Sequence, residues 1–257
     1  MKKIKYIFIM ILIFNAISCS KKGDYSAVRE RLQELKKTQN ADIDTLQKNA
    51  KEFDEITSIM LTAFEGNFLL SRQLGIKFLQ KEMYDLAIEY LSKALAIKPE
   101  DVDANYYLGV AYAYKGKYDK SFSFKAEDLF KKALSFQPDN SIIMYSLSIL
   151  YYYQLDKKNE AIELMKKSVE RAGATEYKPA AMLGKYYYNS GEYFEAINYI
   201  KEALNKTTSK ELKAQFSLNL AHIYSKVNDA ANSDLYKKQA KSFNPKIDIE
   251  KSMQNFE

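Results

Sequence analysis

The sequence has no tryptophan, one cysteine, one histidine, eight glycines and four prolines among its 257 residues. A single histidine, His222, cannot supply a multi-histidine metal site, and the single cysteine, Cys19, has no partner for an internal disulfide. The few glycines form no phosphate-cradling loop, and no serine–histidine–aspartate arrangement stands out. We therefore expect no catalysis, no metal and no other cofactor, which leaves binding to a partner as the expected role.

Charge of either sign is spread along the chain. Lys and Arg number 39 against 33 Asp and Glu, a net charge of +6. Half of that excess belongs to Lys2, Lys3 and Lys5, which lie at the N-terminus. The chain has no basic cluster with interleaved aromatic residues, which a surface that follows a phosphate backbone would need. The composition therefore argues against a nucleic-acid partner.

One residue pattern occurs five times between positions 74 and 245, and its copies start 34 to 39 residues apart. The copies are Leu74, Gly75, Phe78, Ala87, Leu91, Ala94 and Pro99; Leu108, Gly109, Tyr112, Ala126, Phe130, Ala133 and Pro138; Leu147, Ser148, Tyr151, Ala161, Met165 and Ser168; Leu183, Gly184, Tyr187, Ala196, Ile200 and Ala203; and Leu220, Ala221, Tyr224, Ser233, Ala240 and Pro245. A unit of this length cannot bury its own apolar face, so we expect successive copies to stack on one another.

Each copy has the features of two helices joined by a short turn. Within each half, the apolar and small residues recur at spacings of three, four and seven, which places them on one helical face. A polar segment such as residues 115–117 or 189–192 separates the two halves. Pro99, Pro138 and Pro245 lack a backbone N–H, and we expect each to end a second helix.

The order Leu-Gly, aromatic, Ala, Ala, Pro resembles the tetratricopeptide repeat family, and the resemblance covers roughly residues 68–247. It implies an all-α fold, a right-handed helical solenoid of about five helix pairs with an N-terminal helical cap. The pairs are expected at residues 68–101, 102–140, 141–176, 177–213 and 214–247. The tryptophan usual in the family is absent, and its places are taken by Ser71, Asn105, Met144, Ala180 and Ser217.

The resemblance also implies where a protein partner would bind. In this family the first helix of each pair lines a concave groove. The residues expected there are Arg72, Ile76, Tyr106, Val110, Tyr114, Tyr145, Ile149, Tyr152, Tyr153, Lys185, Tyr188 and His222. Tyrosine combines broad apolar contact with one hydroxyl group, which suits recognition of a peptide or protein. The alternative is that these tyrosines only fill space between helices. The Lys and Asn pattern with which some members bind a C-terminal carboxylate is absent.

The second copy has five extra residues, at positions 121–125. Five residues exceed one helical turn of about 3.6 residues. They either lengthen the helices of this unit or form a loop that presents Phe122 and Phe124 to a partner.

The N-terminus has the features of an export signal. Three lysines precede an apolar stretch over residues 6–17. This stretch is shorter than the roughly 20 residues that a membrane-spanning helix needs, so we expect a cleaved signal peptide over residues 1–18.

The residues around Cys19 resemble the cleavage and acylation motif of bacterial lipoproteins, although Ala16 stands where leucine is usual. We expect lipid on Cys19, followed by a polar tether over residues 19–24, because a lone exported thiol has no disulfide partner. The alternative is an ordinary signal peptide with a cysteine near its cleavage site. Ser20 stands where some lineages use aspartate for inner-membrane retention, which favours the outer membrane.

Residues 25–67 do not show the repeat. Over residues 43–64, apolar or small side chains recur at alternating spacings of three and four, as in the seam of a helix that packs on a partner helix. Gly66 and Asn67 are expected to end this helix. One interpretation is a cap over the first repeat, and the other is a coiled-coil arm that joins two chains as a homodimer. Residues 248–257 are expected to form a short polar tail.

These features predict a non-enzymatic scaffold that is lipid-anchored in a bacterial cell envelope and holds a protein or peptide in its groove. Such a scaffold would serve the assembly of an envelope or outer-membrane complex. Two other functions stay open from the sequence. One is a periplasmic carrier of a small apolar ligand, or a transporter accessory, and the other is a surface-exposed adhesin.

Overall fold

The structure is a computed structural model that describes residues 43–249, together with Glu30 and Gln33. It divides into two compact units, one up to Gly66 and one from Asn67 onward. The signal peptide predicted over residues 1–18 and the tether over 19–24, with Cys19, lie outside the described residues. So do most of the residues before position 43 and all those after position 249.

The described residues form ten α-helices and one π-helical segment, and no β-strand occurs among residues 43–249. In chain order the α-helices are α1 (Ile43–Gln80), α2 (Tyr84–Ile97), α3 (Val102–Gly116), α4 (Lys120–Phe136), α5 (Ser141–Leu150), α6 (Lys158–Arg171), α7 (Lys178–Asn189), α8 (Tyr193–Lys206), α9 (Lys210–Lys226) and α10 (Ala230–Phe243). The π-helical segment, Tyr151–Leu155, continues directly from α5. Among the described helices, none is both long enough and apolar enough to span a membrane.

From Asn67 onward the helices pack as consecutive pairs. Helix α3 packs on α4, α5 on α6, α7 on α8 and α9 on α10, and the second helix of each pair also contacts the first helix of the next. The buried apolar side chains accordingly form three clusters that succeed one another along the chain. This arrangement confirms the predicted all-α solenoid of stacked helix pairs.

The glycine of the Leu-Gly motif is explained by the contact between the two helices of a pair. A Cβ atom placed on Gly109 would lie 2.8 Å from Cε1 of Phe130, and one on Gly184 would lie 2.5 Å from Cδ1 of Ile200. Carbon atoms in ordinary van der Waals contact are about 3.5–4.0 Å apart. The helices therefore approach too closely at these positions for any side chain to fit without a shift of its neighbours.

Polar side chains and prolines set the helix ends. The Asp101 carboxylate accepts a hydrogen bond from the backbone N–H of Ala104 at 2.8 Å, and the Ser209 hydroxyl accepts one from that of Leu212 at 3.2 Å. Such caps satisfy N–H groups that have no partner inside the helix. Three prolines follow the last residues of α2, α4 and α10 by two positions, as predicted.

Helix α1 runs through Gly66 and Asn67 without a break, so the prediction that these residues end it is wrong. Glycine weakens a helix interior by about 1 kcal/mol relative to alanine, which does not stop a long helix. In the first unit, Leu46 and Ile59 are 43% and 70% exposed. Whether residues 25–67 cap the first repeat or join two chains stays a prediction.

The five extra residues of the second repeat lie inside α4, which has 17 residues where α2, α6 and α8 have 14 each. The alternative of an exposed loop is therefore wrong. Phe122 is half-buried, and its ring centroid lies 5.7 Å from that of Tyr112. Phe124 is 50% exposed on the helix surface.

The lengthened α4 contacts the π-helical segment of the third repeat. The Ser123 hydroxyl donates a hydrogen bond to Oε1 of Gln154 at 2.7 Å, and Nε2 of Gln154 donates one to the Ala113 carbonyl at 3.0 Å. The π-helical segment thus joins the third repeat to both helices of the second.

Candidate partner-binding cavity

A cavity of about 510 Å³ opens between α3, α5 and the connection from α6 to α7. Ligand pockets in proteins typically measure about 300–1,000 Å³. The lining residues are Tyr106, Val110, Ala113, Tyr114, Lys117, Phe130, Ile142, Tyr145, Ser146, Ile149, Gln154, Thr175, Glu176, Tyr177, Lys178 and Pro179. The cavity thus belongs to the second, third and fourth repeats, with first helices supplying most of its wall.

Tyrosine side chains form much of this wall. The hydroxyl of Tyr106 lies 3.3 Å from Oγ of Ser146, and its ring centroid lies 5.9 Å from that of Phe130. Tyr145 is half-buried on the next first helix. Burial raises the pKa of both Tyr106 and Tyr145 above the ordinary value for tyrosine. Both hydroxyls therefore stay protonated at neutral pH and are able to donate a hydrogen bond.

Charged groups also line the cavity. Lys117 contributes from the end of α3, where its Nζ lies 4.8 Å from the ring centroid of Tyr114. Lys178 contributes from the first residue of α7. Glu176 also lines the cavity and accepts a hydrogen bond from the hydroxyl of Ser141. The lining therefore combines apolar side chains with a few charged groups, as binding sites commonly do.

The structure brings together five residues that the sequence predicted for the groove. These are Tyr106, Val110, Tyr114, Tyr145 and Ile149. The sequence did not indicate Thr175, Glu176 and Tyr177 in the α6–α7 connection, or Lys178 and Pro179 at the start of α7. They lie where one repeat passes into the next, to which the repeat pattern assigns no position, and Tyr177 was the one aromatic signal available there.

Arg72 lies outside the cavity and is paired within the protein. Its Nη1 lies 3.0 Å from a carboxylate oxygen of Asp101 and 3.5 Å from one of Asp103. The guanidinium also lies 5.2 Å from the ring centroid of Phe68. The predicted cation of the first repeat thus contributes to the contact between the first and second repeats.

Tyr188 and His222 also lie outside the cavity, and both are buried with 9% of their surface exposed. The hydroxyl of Tyr188 lies 2.7 Å from Nε2 of His222. The pair therefore joins α7 to α9, and whether either residue also contacts a partner stays a prediction.

The remaining predicted residues are close to the cavity in sequence but do not line it. Tyr152 is half-buried, with its ring centroid 6.2 Å from that of Tyr186. Tyr153 is 62% exposed, and its hydroxyl lies 3.9 Å from the sulfur of Met182. Lys185 is half-buried on α7.

The described residues include no group of three or more His, Cys, Asp and Glu side chains that is placed to hold a metal ion.

Comparison with known proteins identifies the repeat. The family model described as TPR repeat, the tetratricopeptide repeat, matches residues 75–121, from the last part of α1 to the start of α4. A TPR repeat-containing protein of Borreliella burgdorferi strain B31 is 25% identical over 235 residues, which are 85% of this chain and 99% of that protein.

Solved structures show the same fold. A crystal structure of MamA protein gives a TM-score of 0.55 at 19% identity and covers 70% of this chain and 93% of its own. MamA from Desulfovibrio magneticus RS-1, from residue 41 to its end, gives a TM-score of 0.55 at 17% identity and covers 71% of this chain and 97% of its own. At these identities the likeness shows the fold alone.

Proposed function

We propose that this chain, which matches the tetratricopeptide-repeat family over residues 75–121, is a non-enzymatic scaffold that binds a protein or peptide in the cavity between its second, third and fourth repeats. Repeats of this kind mediate protein–protein interaction through surfaces built from several units. We propose further that lipid on Cys19 anchors the scaffold in a bacterial cell envelope, where it supports the assembly of an envelope or outer-membrane complex.

The observation that carries the binding proposal is the tyrosine wall of the cavity. Tyr106 and Tyr114 come from α3, Tyr145 comes from α5, and Tyr177 comes from the residue just before α7. Tyrosine is enriched among residues that dominate binding energy, because it offers a large apolar ring and one hydroxyl at small cost in side-chain entropy. A surface of this composition, open to solvent between two first helices, suits the side chains of a partner.

The envelope proposal is supported by the N-terminal sequence alone. The basic start, the short apolar stretch over residues 6–17 and Cys19 follow the order of a lipoprotein signal. Several acyl chains hold a protein on a membrane far more firmly than one does.

A crosslinked pull-down from the native host tests the binding proposal. Tyr106→Ala combined with Tyr145→Ala should remove a partner that the wild type recovers, whereas Phe194→Ala should not. Phe194 is 72% exposed and does not line the cavity. Ile142→Glu provides a second test, because Ile142 lines the cavity but is 49% exposed, so the change should preserve folding. Unchanged recovery with both cavity variants would show that the partner binds elsewhere.

The cavity volume of about 510 Å³ also favours a second candidate, a carrier of a small apolar ligand. Native mass spectrometry of the purified protein distinguishes the two. A bound small molecule that is lost in Ile142→Glu would support the carrier, and a ligand-free protein that still recovers its partner would support the scaffold.

A further inference from the structure

Lysines outnumber carboxylates among the residues that line the cavity. Lys117 and Lys178 both line it. Lys185 does not line it, but follows Lys178 by seven residues on α7, two turns further along the same helical face. Among the described residues that line the cavity, the only carboxylate is Glu176, and it already accepts a hydrogen bond from Ser141. The cavity and the adjoining face of α7 therefore have a surplus of lysine.

The lysines of α7 have no internal counter-charge, unlike the cation of the first repeat. Neither Lys178 nor Lys185 forms an ion pair with another described residue. Arg72, by contrast, is paired with both Asp101 and Asp103. A partner that carries carboxylates would gain ion pairs beside α7 and none at Arg72.

The interior of the cavity favours a large apolar side chain. Val110, Ile149 and Pro179 line it together with the tyrosine rings. A charged group placed among them would lose its hydration without a partner, which is costly, whereas an apolar side chain gains about 25 cal/mol for each Å² removed from water. An apolar anchor and its charged neighbours would therefore separate, the anchor among the apolar side chains and the charges beside the lysines.

We infer that the segment bound here is an acidic peptide with one large apolar side chain, which enters the cavity while the carboxylates beside it pair with Lys178 and Lys185. The inference rests on the proposed function and specifies the ligand of the same site. Exposed ion pairs are individually weak, so two lysines together account for up to roughly a tenfold change in affinity. This electrostatic part weakens as salt shortens the screening length from about 10 Å at 0.1 M to about 3 Å at 1 M.

Fluorescence anisotropy with three labelled peptides tests the inference on the full-length protein. The first peptide has a central phenylalanine flanked by aspartates, the second has lysines in place of the aspartates, and the third has alanine in place of the phenylalanine. The protein variants are Lys178→Gln with Lys185→Gln and, as the matched control, Lys238→Gln with Lys241→Gln. The control lysines are exposed on α10 and do not line the cavity.

We expect the aspartate–phenylalanine peptide to bind the wild type and the control variant equally, and the α7 variant about tenfold more weakly. The other two peptides should each bind the wild type at least tenfold more weakly than the first. Equal binding of the acidic and basic peptides, equal binding by the two lysine variants, or no binding of the acidic peptide would overturn the inference. The pull-down with the tyrosine variants is independent of peptide charge, so failure of the inference is distinguishable from failure of the proposed function.

Discussion

Oε1 of Glu127, in α4, lies 2.8 Å from Nζ of Lys157, thirty residues further along the chain and just before α6. The same oxygen accepts hydrogen bonds from Nζ of Lys131 at 2.7 Å and from the hydroxyl of Tyr151 at 3.0 Å. Glu127 is only 5% exposed. One buried carboxylate thus joins the second repeat to the third.

The stability of the protein should depend on the charge of Glu127. Burial alone would raise its pKa, but the hydrogen bonds from Lys131, Lys157 and Tyr151 outweigh burial and lower the pKa from 4.5 to about 2. This stabilisation is complete above pH 4.5 and is lost as the pH falls towards 2. Between neutral pH and about pH 3, the free energy of unfolding should fall by about 2 kcal/mol more in the wild type than in Glu127→Gln.

Urea unfolding at the two pH values measures this difference. Glu163→Gln is the control, because Glu163 pairs with Lys166 on the exposed surface of α6 and should keep the pH dependence of the wild type. If the Glu127→Gln variant showed that same pH dependence, the assignment of a low pKa to Glu127 would be wrong.

Two glycine-to-alanine changes should have opposite effects. Gly184→Ala places a methyl group 2.5 Å from Cδ1 of Ile200, and such overpacking typically costs about 1–3 kcal/mol. In Gly66→Ala the methyl group meets nothing within 4 Å, so α1 should gain about 0.5–1 kcal/mol from the better helix former. Thermal unfolding measures both. A Gly184→Ala protein as stable as the wild type would show that the α7–α8 contact is looser than described.

Tyr188→Phe should destabilise the protein without touching the cavity. It removes the hydroxyl that lies 2.7 Å from Nε2 of the buried His222, and the loss of one such hydrogen bond costs about 0.5–1.5 kcal/mol. Tyr153→Phe is the control for this change, because Tyr153 is exposed and its hydroxyl has only a 3.9 Å contact with the sulfur of Met182. Chemical unfolding should separate the two variants. If Tyr188→Phe lost partner binding but kept the stability of the wild type, Tyr188 would instead belong to the partner-binding surface.

Cys19→Ser should release the protein from membranes. The sequence predicts that Cys19 becomes the acylated N-terminal residue, so its loss removes the attachment point of the lipid. Metabolic labelling with an alkyne-tagged palmitate, followed by membrane fractionation, measures both effects, and Ser20→Ala is the control. Labelling of the Cys19→Ser protein equal to that of the control would contradict the lipoprotein assignment.

The repeat fold could be predicted from the sequence because the residue spacings that define it are local. Leu183 and Gly184 lie one turn before Tyr187 on the same helical face, and this spacing, repeated along the chain, fixes which surfaces meet. The end predicted for α1 at Gly66 was wrong because the low helix propensity of one glycine is a small cost in a helix of 38 residues.

The binding site could be predicted from the sequence only in part. Periodicity placed Tyr106 and Tyr145 on the same side of successive first helices, and the structure puts both in one cavity. Periodicity predicted the helical face on which Tyr188 lies, but not how deeply its side chain is buried. That burial depends on the neighbouring helix, which contributes His222. Glu176 and Tyr177 lie in a connection whose course depends on how two repeats pack, and no spacing in the sequence encodes that.

Site-specific photocrosslinking in living cells tests the central claim most directly. A benzophenone amino acid would replace Tyr145, inside the cavity, or Phe194, exposed on α8 and outside it. We predict that irradiation yields a discrete crosslinked partner from position 145 and none from position 194. Crosslinks from position 194 with none from position 145 would contradict the claim that the tyrosine-lined cavity is where this scaffold holds its partner.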